Sequence, residues 1–276
     1  MARVRNPLHD KTAVVTGAAS GIGRALALRL SVNGSAVAIA DFNAEGLAET
    51  ESMIQGPVLA RTVDVSDRSA MLGFAATVAD WTPAPIGAVV NNAGVTTSQS
   101  FIDASPEDDE WVMNVNFGGV VNGSHAFMPL LLKQRSGTLV NVSSIFGLFS
   151  FPNQSAYCAS KHAVRGFTES LRHELRGTGV AVAVVHPGGV KTNIISNARF
   201  HADERGNTDH GDAAERFAKL ARTTPEKAAK IIQTGIERGN PRIRIGGDAV
   251  AMDLLVRAAP VRYYEVVERF VNLASR

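Results

Sequence analysis

The sequence predicts an α/β fold: one domain built on a doubly wound parallel sheet of about seven strands, with helices on both faces and a C-terminal helical extension. Three observations predict it. Short apolar runs alternate with stretches of helical spacing as far as residue 185. The runs are apolar throughout rather than alternating, as strands covered on both faces are. A glycine-rich turn joins the first run to its helix, and an acidic residue closes the second run.

The elements follow in order. Thr12–Thr16 reads as a buried strand, and residues 22–32 as a helix stopped by Asn33-Gly34. Residues 36–40 form the second strand and 44–54 the next helix; a third strand lies within 58–65, followed by a helix over 68–79. Trp81-Thr82-Pro83-Ala84-Pro85 breaks the chain before a fourth strand at 86–90. A long helix is expected over 107–133, interrupted at Gly118, Gly119 and Gly123. Strand five spans 137–142, a helix 155–175, and strand six 180–185. Beyond Pro187 the rhythm breaks. Residues 193–211 are polar and read as a mobile loop or lid. Helices are expected over 212–222 and 225–238, the second with Pro225 in its first turn, then a last strand at 243–246 and helices over 248–276 broken at Pro260. Crossovers should be right-handed. Neither a repeat nor an interdomain linker is visible.

Composition excludes several classes. A chain of 276 residues with 45% hydrophobic and 20% charged residues is ordinary for a globular domain. A net charge of +2 is too mild, and Lys and Arg too evenly spread, for a nucleic-acid partner. Cys158 is the only cysteine, so no intrachain disulfide can form, in keeping with a reducing cytoplasm. The N-terminus lacks the apolar core of a secretory signal, and no apolar stretch is long enough for a transmembrane span. A soluble cytoplasmic protein is the expectation.

Gly17, Gly21 and Gly23 lie between the first strand and its helix, where glycine lets main chain approach a pyrophosphate and the helix start offers N–H groups to it. The spacing is G-x-x-x-G-x-G rather than G-x-G-x-x-G. Asp41 ends the second strand, placed to accept from ribose hydroxyls and to repel a 2′-phosphate. Neither Phe42 nor Asn43 offers that phosphate a cation, so NAD is favoured over NADP.

Tyr157 and Lys161 are four apart, hence on one helical face, and Ser144 lies thirteen residues before the tyrosine. A phenol with its reference pKa of about 10 is a poor base at neutral pH. A neighbouring ammonium favours the phenolate; a drop of about 3 pH units is worth about 4 kcal/mol. Tyr157 is thereby a candidate proton-transfer residue, with Ser144 as the hydrogen-bond donor beside it.

These residues resemble the short-chain dehydrogenase/reductase family over about residues 10–192. The loop Thr16-Gly17-Ala18-Ala19-Ser20-Gly21-Ile22-Gly23 is similar to its cofactor loop, Asp64-Val65 to its adenine-contacting pair, and Asn91-Asn92-Ala93-Gly94 to the signature closing strand four. Asn116 aligns with the helix asparagine of its catalytic tetrad, Ser144, Tyr157 and Lys161 match Ser-x12-Tyr-x3-Lys, and Pro187-Gly188-Gly189-Val190-Lys191-Thr192 resembles the segment flanking the nicotinamide. The resemblance implies a Rossmann-type fold and a hydride-transferring oxidoreductase. It implies that Tyr157 is acid/base, that Ser144 orients the substrate oxygen, and that Lys161 lowers the Tyr pKa and contacts ribose. Asn116 would hold a water linking Lys161 to solvent. It also implies a homo-oligomer, dimer or tetramer, paired through the helices near 107–133 and 155–175.

Phe146, Leu148, Phe149 and Phe151 follow Ser144, and Ile194, Ile195 and Phe200 lie in the expected lid. An apolar lining suits a hydrophobic secondary alcohol or its ketone rather than a sugar or an acid. Cys158 neighbours Tyr157 but should point about 100° away, into packing. His125, His162, His173 and His186 have no metal-ligand spacing, and His9, His201 and His210 are expected to face solvent. Val261, Tyr264, Val267 and Val271 recur at helical intervals near Arg257, Arg262 and Arg269, a stripe expected to pack on the core or another subunit rather than on a membrane. Three rivals remain. One is an NADP-dependent carbonyl or ketoacyl reductase, one a sugar-nucleotide epimerase, and one a non-catalytic NAD-binding protein on the same fold.

Overall fold

The computed structural model describes residues 8–202, 208, 209, 211, 215 and 221–273. The long apolar runs do become strands covered on both faces. They are β1 (Thr12–Thr16), β2 (Ala36–Asp41), β3 (Val58–Thr62), β4 (Ile86–Asn91), β6 (Thr138–Val142), β7 (Ala181–Pro187) and β9 (Arg242–Ile245), joined in a seven-stranded parallel sheet. Its order is β3-β2-β1-β4-β6-β7-β9. The chain moves outward from β1 to β3, then returns to β4 on the other side of β1. The switch point therefore lies between the C-terminal ends of β1 and β4, where open α/β sheets bind ligands.

Alternate strand residues feed two core layers. Val15, Ile39 and Val90 face α1 (Gly21–Val32) and α7 (Pro225–Glu237), meeting Leu26, Leu30, Ile232 and Ile236. Val14, Ala38 and Val89 face α3 (Arg68–Trp81) and α5 (Gly119–Gln134), meeting Met71, Phe74, Phe127 and Leu131. The Phe74 and Phe127 rings meet edge to face at 5.7 Å, a contact that strengthens large-residue packing beyond burial alone. The remaining helices are α2 (Ala44–Met53), α4 (Pro106–Met113), α6 (Ser155–Glu174), α8 (Gly247–Ala258) and α9 (Tyr263–Leu273). No helix among the described residues is long and apolar enough to cross a membrane.

Two expectations change. The helix expected over 107–133 is three pieces: α4, a π-type turn at Asn114–Gly118, and α5. Ser105 caps α4 by accepting from the Asp108 N–H, and Pro106 opens it. The lid segment contains a strand: β8 (Arg199–Phe200) pairs in parallel with β5 (Thr97–Ser98), and two-residue strands are too short to show a period in sequence. The helix expected over 212–222 falls largely outside the described residues. In the C-terminal stripe Val267 is buried on the domain, whereas Val261 (76%) and Tyr264 (55%) are exposed in the single chain.

Candidate active site

The glycine loop after β1 packs main chain against main chain. Gly17 sits at φ +68°, and a Cβ there would lie 2.7 Å from the Ala93 Cα beyond β4; a Cβ on Gly23 would lie 2.0 Å from the Gly17 carbonyl oxygen. Asn92 fixes the loop from the other side. Its Nδ2 donates to the carbonyls of Thr16 (3.0 Å) and Gly17 (3.1 Å), while the Thr16 hydroxyl accepts the Asn92 and Ala93 N–H groups. Ser20, at the start of α1, makes no side-chain cap, and the first turn carries no acidic residue. The helix start therefore presents N–H groups with no side-chain acceptor, which fits a phosphate-bearing ligand in a cradle too narrow for any Cβ.

Asp41, at the C-terminal end of β2, accepts the Ala19 N–H at 2.9 Å and the Asn43 N–H at 3.0 Å. It does not cap α2; Asn43 does. Each carboxylate oxygen keeps a lone pair for a further donor. The nearest loop cation, Arg24, is engaged by Glu49, Thr50 and the carbonyls of Ala19 and Gly46, so it is held under the loop. Phe42 is 74% exposed at the rim. Asp64 closes a local turn, accepting from the Ser66 N–H and hydroxyl with one oxygen. Some expected contact residues turn their side chains away from the crevice: Val65 packs on Gly119, and Val190 and Ile22 pack in the core. Only their main chain is left to face a ligand.

The opposite wall is the segment after β7. Thr192 comes within 3.2 Å of where a Gly21 Cβ would stand, so the segment closes over the glycine loop. Two residues that the sequence reading missed hold it. Asp248 accepts the Gly189 N–H at 2.6 Å, and Thr223 exchanges main-chain hydrogen bonds with Gly189 and Lys191. Gly188 donates to the Ile245 carbonyl at 2.9 Å. Asp248 and Thr223 lie in stretches whose local sequence carries no motif, so no signal pointed to them.

Four residues expected to act together converge at the C-terminal edge of the sheet. Tyr157 and Lys161 lie on α6, both buried, with the Lys161 Nζ 5.5 Å from the Tyr157 ring centroid and donating to the Val142 carbonyl. Ser144 stands close enough to the Tyr157 side chain to act on its protonation, and its hydroxyl accepts the Phe146 N–H at 3.1 Å. Asn116, fully buried on the π-type turn, accepts the Val95 N–H (2.8 Å) and donates to the Val95 carbonyl and to Ser160 Oγ, both at 3.0 Å. Gly94 fits between Asn116 and Lys161: a Cβ there would lie 3.0 Å from the Asn116 Oδ1 and 3.2 Å from the Lys161 Nζ. The π-type turn, common at functional sites, carries Asn116 into this position.

One electrostatic expectation is corrected. Tyr157 is not brought toward neutrality by its lysine; burial pushes it up to about 12, with Ser144 opposing. Lys161 is itself drawn down to about 8 by burial. Desolvation disfavours each charged form, and the ammonium lies over the Tyr157 ring, 5.5 Å from its centroid. In this state Tyr157 carries its proton at neutral pH. His186, on β7 below Ser144, is buried and pulled down to about 4 by burial above all; its Nδ1 donates to the Ser144 carbonyl at 3.0 Å.

On the far side of Tyr157 stands an aromatic group. Phe146 lies edge-on to Tyr157 at 6.1 Å and to Phe149 at 5.3 Å, and stacks on Phe151 at 5.5 Å. Tyr263, at the start of α9, was not foreseen; its ring meets Phe149 and its hydroxyl accepts the Ser150 N–H at 3.3 Å. Ile194 and Ile195 sit in the turn after Thr192. Cys158 is buried, its thiol pushed up by burial, and it lines a shallow cavity with His162, Ser150 and Phe151 rather than facing Ser144. His201 does not simply face solvent: its Nε2 reaches Asp108 at 2.9 Å. Among the described residues no three His, Cys, Asp or Glu side chains gather as a metal site.

Comparison with known proteins shows the family. A family model described as short chain dehydrogenase matches residues 11–203. SadH, a Mycobacterium tuberculosis protein named as an oxidoreductase, is 42% identical over 266 residues, covering 94% of each chain. The 3-oxoacyl-[acyl-carrier-protein] reductase FabG of Thermotoga maritima is 36% identical over 82% of this chain and 89% of its own. Among solved structures, a short-chain dehydrogenase/reductase from Burkholderia phymatum in complex with NAD superposes with a TM-score of 0.82 at 30% identity, covering 92% of this chain and 95% of that one. Levodione reductase gives 0.79 at 25% identity over 88% and 99%. Matched through its sheet by the family model and aligned almost end to end with such relatives, the chain belongs to the short-chain dehydrogenase/reductase family of oxidoreductases.

Proposed function

We propose that the protein is an NAD-dependent oxidoreductase interconverting a hydrophobic secondary alcohol and its ketone, with Tyr157 as the acid/base. The observation that carries this reading is the buried Tyr157, beside Ser144, with the Lys161 Nζ over its ring and Phe146 edge-on to it. Gly17, Ser20, Gly21 and Gly23 would hold the phosphates, Asp41 the adenosine ribose, and Thr192 with Lys161 the nicotinamide end. When bound, the dinucleotide supplies the hydride chemistry.

The chain's residues do the rest. The Ser144 hydroxyl donates to the substrate oxygen and orients it. Tyr157, protonated in this state, gives its Oη proton to that oxygen as a ketone becomes an alcohol, and Lys161 stabilises the phenolate left behind. A buried tyrosine that holds its proton is in the form that can donate to a ketone oxygen, and FabG and levodione reductase are both named as reductases. Phe146, Phe149, Phe151 and Tyr263, with Ile194 and Ile195, would exclude water from the reacting carbon and select apolar substrates. Asn116 holds the backbone at Val95 and would position a water linking Lys161 to solvent. We further propose a homo-oligomer, dimer or tetramer, paired through α4–α5 and α6, which light scattering on an eluting column peak checks.

The test is a panel of ketones and alcohols followed by NADH absorbance, run in parallel with NADPH. Turnover of apolar ketones with NADH supports the reading, and turnover confined to highly charged substrates overturns the pocket assignment. A second reading, an NADP-dependent ketoacyl reductase, is favoured by the FabG relative and opposed by Asp41; a clear NADPH preference would establish it.

A further inference from the structure

The segment after Thr192 is tied down in a way the catalytic assignment does not use. Asp108, on α4, is only 7% exposed, yet both its oxygens are occupied by residues more than ninety positions later in the chain. Arg199 Nη1 reaches one oxygen at 2.7 Å and His201 Nε2 reaches the other at 2.9 Å. Asp108 and Trp111 share a face of α4, and the Arg199 guanidinium lies over the Trp111 ring, 4.0 Å from its centroid. The main chain repeats the tie. Arg199 N–H donates to the Thr96 carbonyl at 3.3 Å, the His201 and Ala202 N–H groups to the Ser98 carbonyl at 3.1 Å, and the Ser98 hydroxyl to the Ala202 carbonyl at 2.9 Å. The Arg199 hydrogen bond holds the Asp108 carboxyl below its usual range despite partial burial.

The same strand is fastened to the catalytic helix. Gln154, three residues before Tyr157, donates to the Thr97 carbonyl at 2.8 Å and pairs with the Thr96 hydroxyl at 2.9 Å. The Gln99 N–H donates to the Asn153 carbonyl at 3.2 Å. A continuous set of contacts thus runs from Asp108 through β8 and β5 to the first turn of α6. We propose that Asp108, Arg199, His201 and Trp111 form a staple that positions residues 193–202, with Ile194 and Ile195, as the substrate-facing rim beside Tyr157. They are positioning residues for substrate; none is catalytic. The rim is fixed by a half-buried ion pair whose charges are matched to each other, so it presents an ordered apolar edge to an apolar ketone.

The proposal rests on Tyr157 as the acid/base, and its test separates the two ideas. Backbone hydrogen–deuterium exchange over 193–202 is measured without substrate in the full-length wild type, Asp108→Asn, Arg199→Gln and the double variant. KM, kcat and NADH affinity are then measured with the best ketone from the panel. Exchange over 193–202 should rise on the order of 10-fold in either single variant. KM should rise roughly 5- to 20-fold while kcat stays within about 3-fold and NADH affinity is unchanged. The double variant should fall short of the sum of the two single effects, because the Asp108–Arg199 pair is lost only once. Arg199 is half-exposed, so Arg199→Gln remains informative should Asp108→Asn fail to fold. Unchanged exchange, or kcat and NADH affinity falling as KM rises, overturns the staple. Should the wild type reduce no ketone, the Tyr157 reading fails while the exchange measurement still decides the staple.

Discussion

The two walls of the crevice are made of different material. The wall at β1 and β4 is main chain on main chain: Gly17 against Ala93, Thr16 bridging to Asn92, and strands with no exposed face behind them. The wall beyond Tyr157 is side chain on side chain, drawn from segments far apart: Phe146 and Phe149 with Tyr263, and Asp108 with Arg199 and His201. A backbone-built wall fits one ligand shape and tolerates little change. A wall of side chains can be altered one residue at a time without disturbing the sheet. On the proposed reading, then, the dinucleotide side is fixed, and substrate selectivity would be carried by the aromatic group, the C-terminal helix and the stapled segment.

Tyr157 stands on the seam between the walls, so its removal should have the largest effect. Tyr157→Phe keeps the ring against Phe146 and removes only the proton donor. The ketone-reduction rate should fall by roughly 10²- to 10⁴-fold with NADH affinity unchanged. A rate within a few-fold of wild type would dissolve the distinction, because proton transfer would then come from elsewhere.

Beneath the seam, His186 gives a prediction about stability. Its ring is buried and neutral, pulled down from 6.5 to about 4. Below pH 6.5 the unfolded chain takes up a proton that the fold refuses, so stability is lost as pH falls from 6.5 toward 4. At about 1.4 kcal/mol per pH unit this reaches roughly 3 kcal/mol. His186→Asn keeps a side-chain N–H for the Ser144 carbonyl and removes the titration. Urea unfolding of the two proteins at pH 7 and pH 4.5 should show a flatter loss in the variant; parallel losses would show that His186 does not carry the acid sensitivity.

On the fixed wall, Asp41→Asn should weaken NADH binding by about 10-fold, in line with loss of one charged hydrogen bond to ribose. NADPH binding should weaken less or improve, since the charge opposing a 2′-phosphate is gone. Titration of both cofactors by fluorescence gives the ratio, and an unchanged ratio would remove Asp41 from cofactor selection.

The contrast also explains what could be read in advance. Buried parallel strands and the Gly17–Gly23 loop are written locally, as apolar runs and as glycines whose spacing the main-chain packing demands. Tyr157 and Lys161 were legible because one helix carries both, and Ser144 because its offset from them is fixed. Nothing local marks Tyr263, Asp248 or the Asp108 staple, since each acquires meaning only from a partner 59 or more residues away. The π-type turn under Asn116 was hidden for a related reason: Gly118 and Gly119 signal a break but not how the helix resumes. The protonation of Tyr157 was misjudged because spacing reports who is near and not how much water has been removed.

The smallest effect should come from the adjustable wall at its most distant contributor. Tyr263→Phe leaves the ring against Phe149 and removes the hydroxyl that accepts the Ser150 N–H at 3.3 Å. One neutral hydrogen bond is worth about 1 kcal/mol, so KM for an apolar ketone should rise only about 5-fold. kcat and NADH affinity should stay as in wild type, since neither Tyr157 nor the glycine loop touches this contact. If α9 were merely stacked on the domain, KM would not move; if it were part of the fixed scaffold, cofactor affinity would fall with it. A change confined to KM is the result that places the C-terminal helix in the substrate wall.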